Sequence, residues 1–207
     1  MRTPNPSPTR GFLQGWRLLG LLSLGLLLLA AALLAVEPDV EGVRRLIRVT
    51  ARSSVLLFLL AFTASAAARH WPGPWSSWQL RNRRYLGLAF AVSHAIHLAA
   101  IVAFAKLDPT GFQGATSLGN FISGGLGYLF IAALSFTSFN AAVAWLGPKL
   151  WGRLHLVGVY YIWISFVVTF GKRIPLSPGY AAPVALLLFA LAFRLWPVRG
   201  VSVSRPA

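Results

Sequence analysis

Six runs of almost uninterrupted apolar residues lie along the chain, each closed by a short polar or proline- and glycine-containing stretch. They occupy residues 18–36, 53–68, 85–105, 121–146, 154–170 and 180–196. A hydrocarbon layer about 30 Å thick is crossed by roughly 20 predominantly apolar residues in a helix. The pattern therefore predicts an all-α membrane protein, a bundle of six transmembrane helices forming one integral membrane domain over 1–207. The second and fifth runs are short, which predicts tilt or extension into the flanking turns.

Composition supports this reading. Hydrophobic residues make up 57% of the 207 and charged residues 11%, against about 25% charged in an ordinary soluble domain. Mean hydropathy is +0.67. The leucine-rich first run exceeds the usual 7 to 15 residues of a signal-peptide core, so it is expected to stay as an uncleaved span, although "LLAAALLAVEPDV" offers small residues at which cleavage is conceivable. Loops are too short for a separate soluble domain. Neither a G-x-G-x-x-G fingerprint nor a P-loop occurs, so any flavin or nicotinamide donor is expected on another chain.

The formal charge of +15 raises nucleic acid as a partner, but the distribution of charge points to topology and away from nucleic acid. With the N-terminus in the cytoplasm, 12 of the 19 lysines and arginines fall inside, Arg2, Arg10, Arg199 and Arg205 among them, and all four acids, Glu37, Asp39, Glu41 and Asp108, fall outside. Basic residues favour the cytoplasmic side, which predicts both termini cytoplasmic in a multi-pass protein of the bacterial inner (plasma) membrane. "EGVRRLIRVTARSSV" is the exception, with four arginines outside. It reads either as an interfacial amphipathic helix or as a polar helix start leading into the second span.

Cysteine is absent, which excludes disulfides, iron–sulfur clusters and thiolate sites. No carboxylate pair lies inside a span, so a carboxylate proton relay has no residues. The histidines remain. His94 and His97, in "VSHAIHLAAIVAF", are about 300° of helical rotation apart, on one face and one turn from each other. They read either as axial ligands to haem iron or as polar side chains bonding a neighbouring helix. His155, in "LGPKLWGRLHLVGVYYIWISF", stands just inside the fifth span, and His70, in the Trp- and Pro-rich "AARHWPGPWSSWQL", reads as a headgroup-level loop residue. Gly124, Gly125 and Gly127 of "SGGLGYLF" suit close helix packing or the approach of a flat macrocycle. Arg81, Arg83, Arg84, Lys149 and Arg153 converge on the expected cytoplasmic face, where propionates, anionic lipid or topology alone account for them. Tyr160 and Tyr161 read as packing residues.

The stretch "RRYLGLAFAVSHAIHLAAIVAF", followed by "LSFTSFNAAVAWLGPKLWGRLHLVGVYY", resembles the ferric reductase-like transmembrane domain family. The likeness is nearest to its MsrQ branch, the haem-binding membrane subunits of bacterial methionine-sulfoxide reductase systems. It covers about residues 80–170 by motif and the first two spans by arrangement. The resemblance implies a six-helix bundle in which histidines of the third and fifth helices bind b-type haem and electrons cross the membrane. It matches His97 to the outer histidine of the third helix and His155 to the inner one of the fifth. Arg83 stands where the family has the inner histidine of the third helix, and Val168 where it has the outer one of the fifth. Each family site has thus lost one ligand, and His94 is additional.

At 1.5 Å per residue, His97 lies about 20 Å past Arg84 and His155 about 3 to 9 Å past the start of its helix, an offset of roughly 10 Å. His94 reduces that offset by about 4.5 Å. One haem held by His94 and His155 across tilted helices, and a five-coordinate haem on His97, both stay open. The expected function is a membrane b-type cytochrome, an oxidoreductase component with one haem b, carrying electrons from a separate donor protein or quinone to an acceptor outside. The expected partners are membrane lipid, haem and an external reductase. A haem-free bundle that assembles with another membrane complex is the rival, and a transporter ranks third, since no internal repeat is visible.

Overall fold

A computed structural model describes residues 13–197. Arg2, Arg10, Arg199 and Arg205, counted above toward cytoplasmic termini, lie outside the described residues. The chain forms helices α1 (Gly15–Val36), α2 (Val40–His70), α3 (Pro74–Leu107), α4 (Pro109–Ala115), α5 (Leu118–Phe136), α6 (Asn140–Leu146), α7 (Pro148–Gly171) and α8 (Ala181–Leu195), with a single 3-10 turn at Pro178–Tyr180. There is no strand among the described residues. Six helices are long and apolar enough to cross a membrane: α1, α2, α3, α5, α7, and α8 together with its 3-10 turn.

The boundaries differ from the apolar runs for local reasons. Asp39 caps α2 by accepting the Gly42 N–H, and a Cβ at Gly42 would collide with the Glu37 carbonyl. From this cap the helix runs unbroken for 31 residues, so "EGVRRLIRVTARSSV" is the polar start of the second span and not a separate interfacial helix. Glu41 pairs with Arg44 and Arg48, and Glu37 with Arg45, which satisfies three of the four arginines there. At the far end α2 continues to His70 and α3 begins with Pro74 at its first position. His70 therefore stands on the last turn of α2 against Phe193, ring centres 5.1 Å apart, and not in a loop.

The fourth run is not one helix. Its hydroxyls turn back on the backbone: Ser135, Thr137 and Ser138 donate to the carbonyls of Ile131, Ala133 and Leu134 at 2.7, 2.6 and 2.6 Å. Such bonds weaken and bend a helix locally; here three cluster within four residues, α5 ends at Phe136, and α6 restarts at Asn140. Gly147, at φ +75°, then turns the chain in the left-handed region that glycine tolerates. Pro148 opens α7, six residues before the apolar run begins.

Successive long helices run antiparallel, so each end of the bundle gathers particular chain positions. One end carries all four carboxylates, Glu37, Asp39, Glu41 and Asp108, where α1 meets α2 and α3 ends. The other, the arginine end, carries Arg69, Arg81, Arg83, Arg84, Arg153 and Arg194. The main core joins Val55, Phe58 and Phe62 of α2, Ala89 and Phe90 of α3, Ile131 of α5, Ile162, Phe166 and Phe170 of α7, and Leu187 and Ala190 of α8. Between α2 and α3 runs a buried polar seam of Thr50, Ser54, Gln79 and Ser93. Interhelical hydrogen bonds and close packing hold membrane helices together where lipid supplies no hydrophobic contrast. α1 lies on the rim and buries only Leu18 and Ala30. It is pinned by the buried Asn82 of α3, whose side-chain oxygen accepts the Gly15 N–H at 2.9 Å.

Candidate functional site

The break between α5 and α6 builds the site. The Thr137 hydroxyl gives its hydrogen to Ala133 and so accepts from the Nε2–H of His155, 3.0 Å away. The Thr137 carbonyl accepts from the Trp151 indole at 2.7 Å, and Trp151, one turn before His155, lays its ring 4.3 Å from the imidazole. Asn140, the first residue of α6, accepts from Arg84 at 2.7 Å. One helix interruption thus fixes His155, Trp151 and Arg84 together. His155 lies two turns into α7, about 10 Å along it.

These groups border a cavity of about 650 Å³ between α2, α3, α5 and α7 near the arginine end. Phe58, Phe62, Phe90, Ile131, Leu134 and Ile162 give it apolar walls. Two glycines, Gly87 of α3 and Gly152 of α7, present bare backbone to it, and a Cβ on either would meet nothing within 4 Å. Around it stand four guanidinium groups, from Arg81, Arg83, Arg84 and Arg194. Arg83 donates to Ser65 at 2.9 Å. Arg194 donates to the Phe62 carbonyl at 2.6 Å and lies 4.6 Å over the Phe62 ring. Ion pairs among the described residues involve only Glu37 and Glu41 at the opposite end, so no carboxylate neutralises this quartet.

His94 and His97 occupy a different level of the bundle. His97 meets the Thr50 hydroxyl through Nδ1 at 2.9 Å, and His94 meets the Ser54 hydroxyl likewise at 2.9 Å. The Thr50 hydrogen is committed to the Leu46 carbonyl. That of Ser54 goes to Ser93, which donates in turn to the Thr50 carbonyl. Both hydroxyls therefore accept, both imidazoles carry their proton on Nδ1, and each Nε2 keeps its lone pair. The His94 ring packs 4.7 Å from Phe90, 5.7 Å from Phe166 and 5.7 Å from Tyr128.

The sequence pairing of His94 with His155 is not formed. The α7 residue beside His94 is Phe166, eleven positions beyond His155 and so about 16 Å further along the helix. Two imidazoles on one iron have nitrogens about 4 Å apart, from a metal–nitrogen bond of about 2 Å. Arg83 and His155 do share one cavity. Val168, 46% exposed on the bundle surface, adds nothing beside His97. A Cβ added at Gly127 would lie 3.8 Å from the Tyr161 ring, an ordinary contact, while Gly124 and Gly125 are exposed and away from the cavity. Lys149 and Arg153 do not line it.

Sequence reasoning missed Arg194, Thr137, Trp151 and the Gly87–Gly152 pair as site residues. Arg194 is one of the 12 basic residues that topology assigns inside, and its place near the C-terminal end of an antiparallel final span puts it at the same end as Arg83. Thr137 to Asn140 lie in the stretch "LSFTSFNAAVAWL" that carries the family resemblance. Their role is the helix break.

The residues present fit a flat, largely apolar, anionic cofactor such as haem b. The glycines leave room for a planar face, the arginines match propionates in charge, and His155 is the one histidine lining the cavity. Ligation through its Nε2 requires that the Thr137 contact be given up, at a cost of about 1 kcal/mol for one neutral hydrogen bond. Comparison with protein-family models, with curated proteins and with solved structures returns no match.

Proposed function

We propose that this protein is a membrane b-type cytochrome of the ferric reductase-like kind, holding one haem b in the cavity near the arginine end. The observation that supports it is a single arrangement: an imidazole, an apolar slot open at two glycines and four unneutralised guanidiniums around one volume. When bound, the haem supplies one-electron transfer at iron, and the protein tunes it by axial ligand and dielectric. His155 would supply the imidazole nitrogen that binds the iron. Arg81, Arg83, Arg84 and Arg194 would hold the propionates by charge-assisted hydrogen bonds, and the phenylalanine walls would exclude water. The partners this reading calls for are a separate donor protein or quinone and an acceptor such as an external reductase. The arginine end is cytoplasmic by the excess of basic residues there, in a bacterial inner membrane.

A haem-free bundle serving as an assembly partner is the second reading. It draws on the hydroxyl bond that each of the three imidazoles already makes to a neighbouring segment. A dithionite-reduced minus oxidised spectrum with haem stoichiometry separates the two. The first reading expects a b-type spectrum abolished in His155→Ala and retained in His94→Ala. Folded protein that takes up no haem when it is supplied would sink it.

A further inference from the structure

His94 and His97 are too far from His155 to join its cavity, yet their environment is built to present them. Thr50 and Ser54 stand one turn apart on α2 and hold both rings by the Nδ1 edge, with proton positions fixed by onward bonds to carbonyls. Metal-binding histidines are held in this way, one ring nitrogen donating to an oxygen and the other left free. The two Nε2 edges face away from α2, and neither is bonded to any protein group among the described residues. Beside His94 stands Tyr128 of α5, whose hydroxyl is buried and has no hydrogen-bond partner. Burying such a group unpaired is costly, so something absent from the protein chain is expected to meet it.

The spacing suits one small ion. With a metal–nitrogen bond of about 2.0 to 2.1 Å, a ring centre lies roughly 3.2 Å from the metal, and two rings at tetrahedral to trigonal angles have centres roughly 5.2 to 5.5 Å apart. The His94 and His97 centres are 5.5 Å apart. They cannot both be axial ligands of one haem, because opposed imidazoles need a spacing of roughly 6.4 Å by the same bond length and two residues on one helix face cannot bracket a macrocycle.

We infer that Nε2 of His94, Nε2 of His97 and the Tyr128 oxygen form a second metal site, for a divalent first-row transition ion and distinct from any haem. No group of three His, Cys, Asp or Glu exists among the described residues, so the phenol is the third donor. Two imidazoles and one phenolate suit Cu²⁺ or Zn²⁺, and the phenolate offsets one of the two positive charges. Both imidazoles are already neutral, so binding releases one proton, that of the phenol.

The test is to titrate the full-length protein in detergent with Cu²⁺ and, separately, with Zn²⁺, reading retained metal per chain, proton release and the copper resonance spectrum. One ion per chain is expected, with one proton released and two nitrogens coupled to copper. His94→Gln and His97→Gln should each weaken binding more than about 100-fold. Thr50→Val, which keeps all three donors, should weaken it by about 10- to 100-fold, as loss of a supporting partner does. His155→Ala should leave metal binding unchanged while removing haem, so the two sites succeed or fail separately. Binding indifferent to both histidine substitutions would overturn the inference, as would haem lost from folded His94→Gln or His97→Gln.

Discussion

At the scale of single residues, Thr137 has more consequences than its chemistry suggests. Its hydroxyl bonds the Ala133 carbonyl and His155, and its carbonyl accepts from Trp151. Thr137→Val keeps the shape and removes the hydroxyl, so the Trp151 bond survives while His155 loses its hydroxyl partner. The expected outcome is a stability loss of about 1 to 2 kcal/mol, from two neutral hydrogen bonds, with haem stoichiometry below wild type but above His155→Ala. Thermal unfolding and the haem assay read the two effects. The three intramembrane histidines were legible in the sequence, because an imidazole in an apolar run is conspicuous. Their partners were not, since serine and threonine are common in such runs and only folding reveals which of them bond a histidine.

At the scale of helices, the six spans follow from apolar runs of bilayer length, and every one of them is found. What pattern could not give is where polar sequence continues a helix and where apolar sequence interrupts one. α2 continues through arginines that pair with Glu37 and Glu41, and the fourth run is interrupted after Phe136, where three hydroxyls cluster and bond back to α5 carbonyls. Contacts between helices were equally hidden. Gly158 of α7 sits where an added Cβ would lie 3.1 Å from both Leu134 and Phe130 of α5, so this glycine sets how closely α5 and α7 approach. Gly158→Leu should push them apart at a cost of about 1 to 3 kcal/mol, the usual range for overpacking. A melting temperature equal to wild type would show that the interface absorbs the side chain.

At the scale of the whole molecule, α3 and α7 face each other mainly through side chains, Phe90 and His94 against Phe166, and the cavity opens where those contacts stop. The two ends differ in charge, and the absence of cysteine makes their sidedness directly measurable. Single cysteines at Lys149, on the arginine end, and at Ala115, on the carboxylate end, are both at exposed positions. A membrane-impermeant maleimide applied to intact cells should label Ala115→Cys and spare Lys149→Cys. The reverse pattern would invert the topology and move the haem cavity to the outer side.

The length of α5 reaches beyond packing. Its 19 residues span about 28 Å, barely the thickness of a hydrocarbon layer of about 30 Å, whereas the 34 residues of α3 extend about 51 Å. With α5 spanning the layer, the break that follows it at Thr137 is expected at the depth where hydrocarbon gives way to headgroups. A thicker bilayer would draw that break into hydrocarbon, and the cost of mismatch would fall on the junction that orients His155. Lipid chain length would then act on the site from outside the protein, transmitted by one helix with no slack.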